Sequence, residues 1–313
     1  MKNRSRSEES VCILLTGKGD AFLIQHFCPG VDSQNLWYHI NMLDLHIHTC
    51  LCGHARGEAE EYIEEALKKG LSILGFSDHL PHNHIPPLSP FTHLAMDERT
   101  LPHYVEEILT LREKYRGSLE ILLGIEADYY PGYEEETVRL LESYPFDYVI
   151  GSIHVLGDWL FDSPRFLHEW QRREVNGVYE EYYGVLKKLA RTGLFNIVGH
   201  FDLPKKFSYR PSNSFEEIIT DLARDINRAG MVVELNTSGL RYAAGEIYPS
   251  LDIVKILREE GVSITLGSDA HRPVEVGENF DLSINIARSL DFPSLTSFRL
   301  KKPVLFSLND KDL

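Results

Sequence analysis

Residues 44–49 read DLHIHT. Apolar and polar side chains alternate here, so in an extended backbone His46 and His48 point to the same face. Two imidazoles on one face, joined by carboxylates, suit zinc, iron or manganese. One such pair is a weak signal, but the ending recurs. ILGFSDH (73–79), ILLGIEA (121–127), YVIGSIH (148–154), NIVGH (196–200) and SITLGSDAH (263–271) each run apolar and then present a histidine or a carboxylate. Together the strand ends offer His46, His48, His79, Glu126, His154, His200, Asp269 and His271, and His54 follows in the loop after the first segment.

The intervening sequence reads as helix. Residues 58–69 (EAEEYIEEALKK) set Ala59, Ile63, Ala66 and Leu67 on one face, crowd acids into the first turns and lysines into the last, and stop at Gly70. Similar patterns predict helices over 104–115, 134–143, 178–191, 215–229, 251–260 and 281–289. MVVELNTS (231–238) supplies a seventh strand. Strands alternating with helices imply a parallel sheet with right-handed crossovers. The expected fold class is α/β, a distorted seven-stranded (β/α)7 relative of the TIM barrel, with a metal site at the C-terminal ends of its strands. The proline-rich loop 82–102 is expected over the barrel mouth. Packing is the usual role of a lone histidine, but that account would have to hold at every strand end here.

The bulk properties fit this reading. The chain has 313 residues, 43% of them hydrophobic, which is ample for a large core. A formal net charge of −15 argues against nucleic-acid binding, which needs a basic footprint. It leaves room for an anionic small substrate, because bound cations reverse the local sign. Cys12, Cys28, Cys50 and Cys52 form no disulfide framework, and the expected location is a reducing cytoplasm. No apolar run approaches the roughly 20 residues that cross a bilayer. Residues 1–41 open with MKNRSRSEES and carry no clear period; they read as an appendage, disordered or arising from a misplaced start ahead of Met42, with the barrel spanning 42–313. Nothing in the sequence speaks to oligomeric state.

DLHIHT, His54 six residues after His48, GFSDH, GIEADYY, GSIH, GH-x-D and GSDAH resemble, as an ordered set, the PHP (polymerase and histidinol phosphatase) metalloenzymes. FDLPKKFSYRP (201–211) and ELNTSGLR with GEIYPS (234–250) resemble the histidinol-phosphatase branch. The resemblance covers about 42–290. It implies three divalent metal ions, with zinc first and manganese or iron as alternatives. By position, His46, His48, Glu126 and Asp269 would hold the first. Glu126 would bridge to the second, completed by His154 and His200. His54, His79 and His271 would hold the third.

The implied reaction is hydrolysis of L-histidinol phosphate to L-histidinol and phosphate. The alternative is a PHP phosphoesterase acting on nucleotides or other small phosphomonoesters. The chemistry agrees: two cations roughly 3.5–4 Å apart lower the pKa of a shared water and stabilise the charge of a loose phosphoryl-transfer transition state. Asp202 is the first candidate for protonating the leaving alcohol, with Asp162 as a second; Asp202 could equally orient a ligand histidine. Arg241, then Lys206 and Arg210, are candidate phosphate clamps after the sixth and fifth strands. Trp159 and Phe161 could wall the organic half of the substrate, and Glu234, Asn236 or Ser238 could bind its amine or imidazole. Two other classes are weighed. A deacylase on a related barrel would not need the third histidine set. A non-catalytic module would not need to keep every ligand.

Overall fold

The computed structural model describes residues 42–308, so the expectations for 1–41 lie outside the described residues. The chain begins with strand β1 (Leu43–Asp44), helix α1 (Ala59–Lys68), β2 (Ile73–Phe76), α2 (Leu101–Lys114), β3 (Glu120–Asp128), α3 (Glu134–Glu142) and β4 (Tyr148–Ser152). A small hairpin of β5 (Val155–Leu156) and β6 (Trp159–Leu160) precedes α4 (Leu167–Trp170) and α5 (Val175–Thr192). Then come β7 (Ile197–Val198), α6 (Glu216–Arg228), β8 (Val232–Asn236), α7 (Leu251–Glu259), β9 (Ser263–Gly267), α8 (Phe280–Ser289), β10 (Ser294–Arg299) and β11 (Lys302–Ser307). Among the described residues, no helix is long and apolar enough to cross a membrane.

The helices form where the pattern places them. In α1, Ala59, Tyr62, Ile63 and Ala66 are buried, and Glu58 and Glu61 form a reciprocal capping box at its start. Glu174 accepts hydrogen bonds from the Asn176 and Gly177 amides at the start of α5, and Gly193, at φ 71°, ends that helix in the left-handed region. All seven helices expected from the sequence are present, with ends shifted by a few residues.

The sheet departs from the expected count of seven. It has nine strands in the order β1-β2-β3-β4-β7-β8-β9-β10-β11, parallel throughout except for the final antiparallel pair. The β10–β11 hairpin was not read from the sequence because its turn lacks the usual Asn or Gly: Leu300 and Lys301 themselves take φ of 48° and 64°. Its outer strand also alternates about a largely exposed face and lacks a continuous apolar run. Apart from β3, which runs the full length of its segment, the regular strands are shorter than the apolar segments suggested. β1 and β7 hold two residues each, and the histidines sit on irregular continuations.

Those continuations are still held by backbone bonds. The His48 amide donates to Ala270 O at 2.9 Å, Ser77 N–H to Ile47 O at 2.8 Å, and Leu80 N–H to Glu126 O at 2.7 Å. Leu45 N–H donates to Leu266 O at 3.1 Å, which sets the first strand's extension beside that of β9. Beneath them Tyr148 is fully buried, and its hydroxyl donates to Leu45 O at 2.8 Å. Gly75 and Gly124 make room for its ring, since a Cβ at either position would fall inside it. Gly124→Ala should therefore overpack the strand that ends in Glu126, at a cost of about 1–3 kcal/mol. Thermal unfolding followed by circular dichroism should show a lower midpoint; an unchanged midpoint would mean that Tyr148 moves aside freely.

Candidate metal centre

His46 and His48 are fully buried, and their Nε2 atoms face each other at 3.1 Å. Glu126 Oε2 lies 3.4 Å from each of these Nε2 atoms, and Asp269 Oδ1 lies 3.7 and 3.4 Å from them. Across Glu126, its Oε1 lies 3.1 Å from His200 Nε2 and 3.7 Å from His154 Nε2, and those two histidines are 3.2 Å apart at Nε2. His54 and His271 approach to 2.9 Å, again through Nε2. His79 lies between the sets, with Nδ1 3.1 Å from Glu126 Oε2 and its ring centroid 5.4 Å from that of His54. The nine sequence-predicted ligands thus form one cluster, with Glu126 between the donor sets. Cys52 is buried behind them, its Sγ within 4.8 Å of ligand atoms of His54 and His271.

The outer contacts fix which ring nitrogen is free. His46 Nδ1 lies 2.9 and 3.1 Å from the two Glu234 oxygens, and His154 Nδ1 lies 2.8 Å from Asp128. His54 Nδ1 and His271 Nδ1 face the carbonyls of Cys52 and Asp269, at 3.2 and 3.1 Å. A carbonyl only accepts, so both Nδ1 atoms carry hydrogen, and the two Nε2 atoms are turned on each other. That geometry is repulsive unless a cation lies between them. Glu126 Oε2 is buried without a hydrogen-bond partner, another acceptor suited to a cation. The donor set of imidazoles and carboxylates fits divalent transition ions. Asp269 itself holds φ at 52°, a conformation that its loop imposes on a non-glycine residue.

The charge balance points the same way. Burial opposes protonation of His46, but Glu234, Asp269 and Glu126 outweigh it and raise its pKa well above the ordinary value. His48 is likewise raised, with Asp269 and Asp78 overcoming burial. His154 is pushed up to about 10, mainly by Asp128 against burial. Burial and the neighbouring imidazolium groups hold His79 and His271 well below the ordinary value; in His79 the Glu126 carboxylate opposes this.

A cavity of about 330 Å³ opens above the cluster. Leu88, Phe91 and Leu94 of the 82–102 segment line it, together with Val155 and Leu160 of the β5–β6 hairpin. Of the candidate substrate residues, Lys206 and Ser238 line it, as does Asp162; Ser238 Oγ donates to Asp269 at 3.0 Å. Asp202, Arg210 and Arg241 do not. Asp202 pairs with Lys205 at 2.8 Å and accepts the Ser250 amide at 3.0 Å. Arg210 pairs with Glu246. Arg241 donates to the carbonyls of Ser268 and Asp269, both at 2.8 Å, and so props the loop that carries Asp269 and His271.

Trp159 and Phe161 are buried packing residues outside the lining. Glu234 is buried too; besides His46 it accepts the His200 amide at 2.6 Å, so it orients candidate ligands and does not face the cavity. His82, read from the sequence as a loop residue, is buried, lines the cavity and leaves both ring nitrogens without a hydrogen-bond partner. It ends no strand, so the pattern that found the others passed over it.

The PHP domain family model matches residues 44–238. A Deinococcus radiodurans protein named probable histidinol-phosphatase is 39% identical over 262 residues, covering 83% of this chain and 98% of its own. The histidinol-phosphatase of Bacillus subtilis is 32% identical over 264 residues, covering 76% and 96%. The structure of the Lactococcus lactis histidinol phosphate phosphatase, complexed with Zn, L-histidinol and phosphate, aligns with a TM-score of 0.68 at 23% identity, covering 84% of this chain and 99% of that one. At that identity the likeness speaks to the fold. The chain belongs to the PHP domain family.

Two outcomes follow. Glu234→Gln removes the carboxylate that orients His46 and should weaken metal binding about 10- to 100-fold, read by competition with a chelator; unchanged affinity would make Glu234 a packing residue only. Because the surrounding carboxylates raise the pKa of His46 and His48 well above the ordinary value and that of His154 to about 10, loading should release protons, and affinity should fall as the pH drops through about 10 and onward through neutrality. Calorimetry in two buffers of different ionisation enthalpy measures this; a buffer-independent enthalpy would contradict it.

Proposed function

We infer that this protein is a metal-dependent phosphomonoesterase that hydrolyses L-histidinol phosphate to L-histidinol and phosphate in histidine biosynthesis. The observation that carries the reading is the meeting of nine candidate donor residues, Glu126 among them, beneath a cavity, in a chain 39% and 32% identical to proteins named for that activity. The finer features belong to the same proposal. Three divalent ions, with zinc first and manganese or iron as alternatives, would be held by His46, His48, Glu126 and Asp269, by Glu126, His154 and His200, and by His54, His79 and His271. The bond from Leu45 to Leu266 and the pairing of Ile47 with Ala270 support closure of β1–β4 and β7–β9 into a distorted seven-stranded barrel. The catalytic unit begins at Met42, with 1–41 as an appendage, and the unpaired Cys50 and Cys52 support a cytoplasmic location.

When bound, divalent cations supply positive charge to the phosphoryl oxygens and bring the pKa of water near neutrality. The chain's own residues do the positioning. Glu126 presents one oxygen to each side, so it fixes the spacing of the first two donor sets. Glu234 and Asp128 orient the rings of His46 and His154 from behind. Lys206 is the one lysine or arginine lining the cavity among the described residues, and it is the phosphate clamp of this reading. Arg241 serves the loop of Asp269 and His271. Leu88, Phe91, Leu94, Val155 and Leu160 exclude water and offer an apolar bed for an imidazole ring.

Steady-state rates after metal loading test the reading. Histidinol phosphate should be hydrolysed with a higher kcat/KM than nucleoside monophosphates, and His154→Ala should lower kcat at least about 100-fold. A preference for nucleotides would replace the substrate assignment, and an active His154→Ala variant would remove the metal assignment.

A further inference from the structure

Four carboxylates line the cavity: Glu126, Asp128, Asp162 and Asp269. Glu126 and Asp269 face the imidazole cluster, and Asp128 is taken up by His154 Nδ1 at 2.8 Å. Asp162 hydrogen-bonds no histidine. Its Oδ2 accepts from Lys206 Nζ at 2.9 Å, and among the described residues its side chain makes no other hydrogen bond. Both partners are sheltered, with side chains 15% and 13% exposed.

Local structure puts this pair beside the cluster. The β5–β6 hairpin folds back on His154, with Phe161 N–H donating to His154 O at 3.2 Å, and so delivers Asp162 to the cavity. Lys206 lies on the short 3-10 helix Leu203–Phe207 that follows His200, and its ammonium sits 4.5 Å from the centroid of the Tyr242 ring. An acid and a base paired inside a cavity match a ligand that carries both charges.

We propose that Asp162 is a specificity-determining residue: its carboxylate receives the protonated primary amine of a phosphorylated amino alcohol while Lys206 turns to the phosphate. This rests on the phosphatase reading above. In such a substrate the amine stands on the carbon next to the ester carbon, so its two charges are only a few bonds apart and can reach the neighbouring Asp162 and Lys206 together. Binding then exchanges one internal ion pair for two intermolecular ones and leaves neither charge buried alone. A phosphate ester without an amine engages Lys206 and strands Asp162, which is costly in a sheltered site. The metal ligands meet only the phosphoryl group common to all phosphomonoesters, so discrimination falls to groups such as this one.

The test uses substrate pairs that differ only in the amine: histidinol phosphate against 3-(imidazol-4-yl)propyl phosphate, and 2-aminoethyl phosphate against ethyl phosphate. The metal-loaded wild type is compared with Asp162→Asn and Asp162→Glu. In the wild type, losing the amine should lower kcat/KM about 10- to 100-fold in each pair. Asp162→Asn should bring both ratios towards one, and Asp162→Glu should keep part of them. Wild-type ratios near one overturn the proposal even if a variant fails to fold. So does an Asp162→Asn variant that slows both members of a pair equally, which would mark Asp162 as serving the common reaction. Histidinol phosphate proving no better than 2-aminoethyl phosphate would sink the histidinol assignment, while the amine ratios would still judge Asp162.

Discussion

Glu126 is almost wholly buried, so its carboxylate is largely shielded from bulk solvent. An ionised carboxylate alone in such a place would take up a proton to avoid the cost of burial. Burial does push its pKa up, yet the surrounding imidazoles, His79 and His46 foremost, hold it well below the ordinary value. Those rings are in turn fixed from outside by Glu234 and Asp128. The arrangement is therefore layered: an inner carboxylate, a shell of imidazoles, and an outer set of carboxylates. Each layer is tolerable only because the next is charged the other way or can become so. Several rings point lone pairs at one another, so the arrangement is completed by positive charge, as protons or as metal ions.

The sheet exists to hold that carboxylate in register. β3 carries Glu126 at a position where its amide donates to Asp78 O at 3.0 Å and its carbonyl accepts from Leu80 at 2.7 Å. The neighbouring continuation, with His79, is thus tied to it residue by residue; His46 and His48 are both tied to Ala270, and Ile47 between them to Ser77. Small shifts of one strand end would move several donor atoms together. Tyr148, packed against Gly75 and Gly124 beneath this layer, limits such shifts from below.

Much of this was legible in the sequence for a simple reason. A strand end has a fixed place in a parallel sheet, so a histidine at the end of an apolar run carries positional information. The ligands and the alternation of strands with helices were read on that basis. What escaped had no such marker. The β10–β11 hairpin turns on Leu300 and Lys301, which announce no turn. His82 follows no strand, and Glu234 reads as one of three polar residues on a strand face until its partner His46 is seen across the sheet. Arg241 looked like a phosphate clamp because it is cationic and near a strand end, but the nearest acceptors are the carbonyls of its neighbour loop.

The same distinction separates the reaction from the substrate. On the phosphomonoesterase reading, residues at strand ends would contact the part of the substrate that every phosphomonoester shares, so changing them would alter whether hydrolysis occurs and not which alcohol leaves. The residues that line the rest of the cavity come from connections: Leu88 and Phe91 from the segment after His79, Leu160 and Asp162 from the hairpin after His154, and Lys206 and Tyr242 from the turns after β7 and β8. These connections lie outside the sheet ladder, although Arg241 in the turn after β8 also props the loop of Asp269 and His271. In this chain the connections combine an apolar bed with one sheltered acid–base pair, a combination suited to a small zwitterionic ester with a ring.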